Sequence, residues 1–327
     1  FSSSGGSFMY RKILAVVLSV ALAAGILAVM IIRVWDDLAD ALSYVGFIYL
    51  IPACLLCLCA WLVRGWRYQT VLSGMQVKIP VNFSTACIFI SQTVNLIVPA
   101  RLGDLIRVVL LKHDYETTIS RGLSSIVVER VFDIISVAAL GLCAVLFVLN
   151  APSWVLMLLI LPLVLGGLFF LVLILTGRFE TDNKYIGYLL SMLDEMRSAS
   201  LTTRSAFMLG VTSLGIWILD TVICQLVALM FGQDIPFQVT LLAVVAGNLV
   251  KAVPLTPGGV GTYEFALAII FELAGTAPAI STLIAVIDHL VKNGITLIGG
   301  AVSIMYLGDW VIPELIDSIR KRFKDES

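Results

Sequence analysis

The chain has 327 residues, 60% of them apolar and 13% charged, with a formal net charge of −1. Soluble domains carry about 45–50% apolar and about 25% charged residues, so a soluble domain with a single anchor is excluded and a polytopic membrane protein is expected. The near-zero net charge carries no information about partners; the placement of the charges carries much more.

In chain order, FSSSGGSF at 1–8 reads as a tag or linker scar, with a natural start at Met9 and one membrane domain over 9–309. A spanning helix needs about 20 apolar residues. Six segments qualify: 12–32, 46–66, 122–149, 153–176, 205–231 and 278–308. Cys54, Cys57 and Cys59 share one apolar run without a second ligand cluster and read as free, packed thiols. The only histidines are His113 and His289, so neither a histidine-rich metal site nor a cofactor is expected.

Two further apolar regions, about 83–111 and 239–274, are each broken by a proline-glycine turn, VPARLG at 98–103 and PLTPGGVG at 254–261. Their arms are too short to span at about 1.5 Å per residue, so each region is one broken helix or a re-entrant hairpin. With both as hairpins, fifteen Lys/Arg from Arg11 to Lys324 share one side and Arg33 stands alone beside Asp36, Asp37 and Asp40. With both as spans, the same residues divide nine to seven. The positive-inside bias selects the hairpins, opening to opposite sides, with both termini cytoplasmic and the protein in the cell membrane.

Opposite openings imply an inverted repeat, about 46–149 and about 205–308. Pro99 is followed 30 residues later by Glu129, then Arg130 and Asp133; Pro257 is followed 31 residues later by Asp288, then His289 and Lys292. Both trios have the spacing i, i+1, i+4. Residues 184–198 and the tail 310–327, with its Arg320-Lys-Arg-Phe-Lys324 run, read as amphipathic elements on the cytoplasmic surface, 184–198 through a face of Ile186, Leu189, Leu190, Leu193 and Met196.

Asp133 lies about 18 Å along its helix from Arg121, near the middle of a core about 30 Å thick. At that depth a charge costs about 2.5–3.5 kcal/mol. The candidate site gathers Arg101, Asp104, Arg107, Glu129, Arg130 and Asp133 from the first half, and Lys251, Gly258, Gly259, Gly261, Glu264, Asp288, His289 and Lys292 from the second. Within single helices, Arg130 is expected to pair with Asp133 and Asp288 with Lys292. Half-helix N-termini near Leu102 and Gly261, with Arg101, Arg107, Arg130 and Lys251, suit an anion, and phosphate in particular. Discontinuous helices in corresponding halves mark transport sites.

NLIVPARLGDLIR at 95–107, VERVFDII at 128–135 and PLTPGGVGTYE at 254–264, in this order, resemble the lysylphosphatidylglycerol synthase transmembrane, or flippase-like, family over about 46–308. The resemblance implies an all-α membrane fold with inverted repeats and two re-entrant hairpins, and it implies homodimers. Its polar motif positions match at Arg101, Arg107, Glu129, Arg130, Asp133 and Glu264; Asp104 stands where the family usually has Glu. No soluble transferase half accompanies these motifs here, so a transporter rather than a synthase is expected. The leading expectation is a flippase for an anionic lipid, such as a phospholipid or a polyprenyl-phosphate-linked sugar, with no nucleic-acid partner and no catalytic residue. The alternatives are a carrier of a small soluble anion, a membrane glycosyl- or acyltransferase, and a scaffold for one.

Overall fold

The structure, a computed structural model, describes residues 4–43, 45–98, 101–147, 153–176, 183–308 and 310–313. The expected tip residues Pro99 and Ala100, and all but the first residues of the expected amphipathic tail, lie outside these. The described residues form an all-helical protein. Its helices are α1 (Ser4–Arg33), α2 (Leu38–Leu42), α3 (Leu50–Gly74), α4 (Val81–Ile97), α5 (Gly103–Tyr115), α6 (Ile119–Val145), α7 (Ser153–Thr176), α8 (Lys184–Ser200), α9 (Thr203–Met230), α10 (Phe237–Ala252), α11 (Thr262–Leu273) and α12 (Pro278–Leu307).

Five stretches are long and apolar enough to cross a membrane, in α1, α3, α7, α9 and α12. The expected sixth, 122–149, falls in α6. That helix has 27 residues, ample length, but Glu129, Arg130 and Asp133 in its middle leave it short of the apolar criterion. The chain is a multi-pass membrane protein. α7 exposes Leu158, Leu161, Val164, Leu165 and Leu168, a face with no use in water but matched to hydrocarbon. α3 runs eight residues beyond the expected end at 66, and this places Arg67 inside a helix, 2% exposed, rather than in a loop.

The breaks fall at the two proline-glycine turns. α4 (17 residues) and α5 (13) pack against one another, as do α10 (16) and α11 (12). At about 1.5 Å per residue the longest of these four reaches about 26 Å, short of a core about 30 Å thick. Each pair then packs on a helix from the other half, α4 on α12 and α10 on α6, while α3 lies along α9.

The connection into each pair is built twice in the same way. After α3, Met75 N and Val77 N donate to Leu72 O at 3.0 and 2.9 Å, and Gln76 N to Ser73 O at 3.1 Å. After α9, Phe231 N and Gln233 N donate to Ala228 O at 3.0 and 3.1 Å, and Gly232 N to Leu229 O at 2.9 Å. The pivots are left-handed, Gln76 at φ 62° and Gly232 at φ 68°. Gln69 Nε2 donates to Ile79 O at 2.7 Å, and Gln225 Nε2 donates to Ile235 O at 2.8 Å. Pro80 and Pro236 then precede the first turns of α4 and α10. A buried backbone carbonyl needs a donor, and a glutamine one helical stretch upstream supplies it in both places.

Tyr68, Leu72, Ile90, Leu110 and Leu111 form a core between α3, α4 and α5; Val227, Leu267, Phe271 and Ile284 form another between α9, α11 and α12. α8 starts on an Asn183 cap and docks its end through Met196 onto Val71 and Val128. Ile186 and Leu189, near its start, stay exposed.

α3 and α4 approach at Gly65. A Cβ added there would stand 2.9 Å from the Thr85 Cα, and Gly65 O already accepts from Ser84 Oγ at 2.8 Å. Gly65→Ala is therefore expected to lower stability by about 1–3 kcal/mol through overpacking. Gly167→Ala on α7, with open space around its Cβ, is expected to leave stability unchanged or raised by about 0.5–1 kcal/mol. Thermal unfolding of both variants in one detergent checks the contrast; an equal loss in both contradicts it.

Candidate functional site

The four broken-pair helices and their neighbours line an open-mouthed cavity of about 160 Å³. Ten of the fourteen sequence-selected residues line it: Arg101, Arg107, Glu129, Arg130, Asp133, Lys251, Gly258, Gly259, His289 and Lys292. Asp104, Gly261, Glu264 and Asp288 stand behind that lining, each bonded to a residue within it or to its immediate support.

On the first-half wall, Glu129 from α6 is 5% exposed and lies between two arginines. Arg67 Nη2 donates to Oε1 at 2.9 Å, and Arg107 from α5 donates to Oε2. Arg67 also donates to Asp133 Oδ1 at 2.5 Å and to Ser213 Oγ at 2.9 Å. Asp104, in the first turn of α5, accepts from Arg130 Nη2 at 2.7 Å, and from Ser91, Asn95 and Gln92 at 3.1, 3.0 and 3.3 Å. The expected Arg130–Asp133 pair within α6 is thus replaced by two pairs between helices. Arg130 takes its acid from α5, and Asp133 takes its arginine from α3. Three arginines meet three carboxylates, and this wall is close to charge-balanced.

On the second-half wall, Asp288 and Lys292 of α12 do pair, Nζ to Oδ1 at 2.8 Å, as their i,i+4 spacing predicts. Tyr263 Oη donates to Asp288 Oδ2 at 2.7 Å, and its ring lies between Lys292 and Lys251, 5.8 and 5.6 Å from the two Nζ atoms. Glu264 is 4% exposed and turned away from the cavity. Its Oε2 accepts from Gly261 N at 2.7 Å, and its Oε1 lies 2.7 Å from His289 Nδ1. Glu264 thus holds the amide of Gly261, the residue that precedes the first turn of α11. Gly261 has φ 83°, and a Cβ there would meet Ala23 O of α1 at 2.9 Å, so glycine is required on two counts.

Two cations on the lining differ from the rest. Among the described residues, neither Arg101 nor Lys251 has a carboxylate within 4.0 Å. Arg101, at φ 53°, donates from Nη2 to the Lys251 backbone O at 2.9 Å, joining the two breaks. Lys251 Nζ lies 3.1 Å from His289 Nε2. A non-glycine residue held in the left-handed region costs of order 1–3 kcal/mol and concentrates at functional sites.

Sequence reasoning missed Arg64, Arg67, Asp220, Tyr263 and Trp217, all of which line the cavity. Arg64 Nη2 donates to Asp220 Oδ2 at 2.8 Å, tying α3 to α9. The signal was available: Asp220 lies inside an apolar span, and an ionisable residue there marks a site by default. Arg64 and Arg67 were counted with the flanking loop because the span was ended at 66.

Residues 16–300 match the family described as the lysylphosphatidylglycerol synthase TM region. Among curated proteins, "Glycosyltransferase AglD" of Haloferax volcanii is 31% identical over 331 residues, covering 86% of this chain and 53% of that protein. A UPF0104 membrane protein of Methanothermobacter thermautotrophicus is 22% identical over 90% of this chain and 96% of its own length. Another, of Methanocaldococcus jannaschii, is 26% identical over 55% and 79% respectively. The chain thus spans about half the length of the Haloferax relative.

Removing one partner of a buried ion pair costs about 3–5 kcal/mol, because the other charge is left without compensation. Glu129→Gln, which strips both Arg67 and Arg107, is expected to lower stability by about that amount. Glu272→Gln, which frees the Arg33 guanidinium whose side chain is already 55% exposed, is expected to cost about 0–1 kcal/mol. Unfolding temperatures of the two variants under one condition check this; similar losses contradict it.

Proposed function

Since the chain belongs to the lysylphosphatidylglycerol synthase transmembrane family, we propose that it carries an anionic, phosphate-bearing lipid between membrane leaflets by alternating access. The observation that carries the reading is the pair Arg101 and Lys251: two cations without carboxylate partners among the described residues, on the wall of a cavity whose other charges are matched. A phosphate supplies the missing negative charge and accepts from both, with Arg130 as a third donor because one Asp104 oxygen holds only one of its nitrogens. Arg107, whose two terminal nitrogens go to Glu129 and Asp104, acts in this reading as a support of that wall rather than as a ligand.

In this reading α4–α5 and α10–α11 are re-entrant hairpins entering from opposite sides, and the halves form an inverted repeat. The doubled turn at 72–80 and 228–236, and the exchange of partners between halves, support it. With Arg64 and Arg67 moved inside α3, the positive residues divide thirteen to one for hairpins, fifteen less these two, against seven to seven for spans. Both termini are then cytoplasmic, the protein sits in the cell membrane, and α8 lies on the cytoplasmic face. Rocking of one half against the other exposes the headgroup to each side in turn. A homodimer remains part of the proposal by family resemblance.

The name of the Haloferax relative favours a second reading, in which this membrane region belongs to a machine that transfers a sugar. The two readings separate in liposomes. Carriage predicts that purified protein speeds movement of labelled phosphatidylglycerol between leaflets without any sugar donor present. Arg101→Gln removes a charge-assisted hydrogen bond of about 1.5–3 kcal/mol, and with it about tenfold or more of the rate. No acceleration, or an unchanged rate in the variant, contradicts carriage; transfer of sugar from a nucleotide donor to a polyprenyl phosphate in the same vesicles favours the second reading.

A further inference from the structure

Five carboxylates of the site are held by fixed cations or stand apart from the unpaired wall. Glu129 lies between Arg67 and Arg107, Asp133 on Arg67, Asp104 on Arg130, Asp220 on Arg64, and Asp288 on Lys292. Glu264 is different. It has a backbone amide on one oxygen and His289 Nδ1 on the other, both at 2.7 Å. His289 is 2% exposed, and its second nitrogen lies 3.1 Å from Lys251 Nζ. An acid, an imidazole and an amine are thus hydrogen-bonded in a row, and the amine is the end that faces the cavity. One residue away on α12, Asp288 meets Lys292 directly, with no imidazole between. Proximity of acid and lysine in this fold therefore does not itself require the histidine.

We infer that Glu264, His289 and Lys251 form an internal proton relay that switches the cavity wall between a charged and an uncharged state, on the reading that this cavity carries an anionic lipid. In the charged state Lys251 is an ammonium donating to His289 Nε2, and Nδ1–H donates to the Glu264 carboxylate. In the uncharged state one proton has moved from Nζ to Nε2, and another from Nδ1 to Oε1. Lys251 is then an amine accepting from Nε2–H, and Glu264 is a carboxylic acid donating to Nδ1. No proton enters or leaves, the imidazole is neutral in both states, and the net charge of the row is zero throughout.

The two states differ in what they present to a ligand. The charged state shows an ammonium to the cavity and suits a bound phosphate. The uncharged state suits the carrier without cargo, because a buried ammonium facing no anion is costly. Other groups around Lys251 do not take over the role. Arg101 stays cationic, Asp220 of α9 is on Arg64, Asp288 and Lys292 of α12 hold one another, Tyr263 of α11 donates to Asp288, and on α6 Arg130 is held by Asp104 and Asp133 by Arg67.

The test is difference infrared spectroscopy on the purified full chain, adding short-chain dihexanoyl phosphatidylglycerol, with dihexanoyl phosphatidylcholine as the control. Binding is followed in parallel by calorimetry. The relay predicts that phosphatidylglycerol removes the C=O stretch of one protonated carboxyl, and that the control lipid does not. The band is expected to be absent in Glu264→Gln, whose amide still caps Gly261. It is also expected to be absent in Lys251→Arg, whose permanent cation keeps Glu264 ionised. Saturable binding with no carboxyl change, or a band that survives in Glu264→Gln, overturns the relay and leaves the anionic-lipid reading standing. A wild type that shows no saturable preference for phosphatidylglycerol over phosphatidylcholine overturns that reading, and the relay with it.

Discussion

The Glu129 carboxylate is shared by Arg67 from α3 and Arg107 from α5, and through it three helices are held at one point in the protein interior. All three side chains are buried, so each ion must find most of its compensation in protein. Asp104 and Asp133 extend the network to Arg130 and back to Arg67, until these three arginines are matched by three carboxylates. The orientation of α5 relative to α6 follows from this. It also explains why α6 tolerates a charged middle that keeps it out of the set of plainly apolar spans.

A matched wall gives meaning to what is unmatched. Arg101 and Lys251 sit where the two broken pairs meet, and the bond between Arg101 and the Lys251 carbonyl joins them without neutralising either. A backbone carbonyl is a weaker partner for a guanidinium than a phosphate oxygen, so the contact that closes the two breaks on each other is one an anionic headgroup can replace. On the proposed function, carriage and closure depend on the same two side chains. The relay inferred behind Lys251 would supply the complementary state, in which that wall carries one fewer exposed charge.

Much of this was legible in the sequence, and the limits were physical. Proline-glycine turns cannot continue a helix, so VPARLG and PLTPGGVG located both breaks. The two trios located the charged turns of α6 and α12, and the i,i+4 pair of Asp288 and Lys292 formed as spacing required. Arg130 and Asp133 did not pair, because spacing sees one helix and the partners Asp104 and Arg67 come from others. The apolar segment 46–66 stops one residue short of Arg67 because no residue there signals where α3 ends; the helix continues to Gly74, and the left-handed Gln76 follows it. Glu264 was expected on the cavity wall, and instead it turns back to cap Gly261 and reach His289, a local competition between backbone and cavity that composition does not reveal.

The central claim is that an anionic headgroup meets Arg101 and Lys251 inside the cavity. An experimental structure of the protein in lipid nanodiscs rich in phosphatidylglycerol tests it most directly. The account predicts headgroup density within hydrogen-bond distance of the Arg101 guanidinium and Lys251 Nζ, with acyl chains leading out between helices to the bilayer. A cavity sealed from lipid on its flanks, or lipid density confined to the outer surface with both cations paired to protein carboxylates, would contradict it.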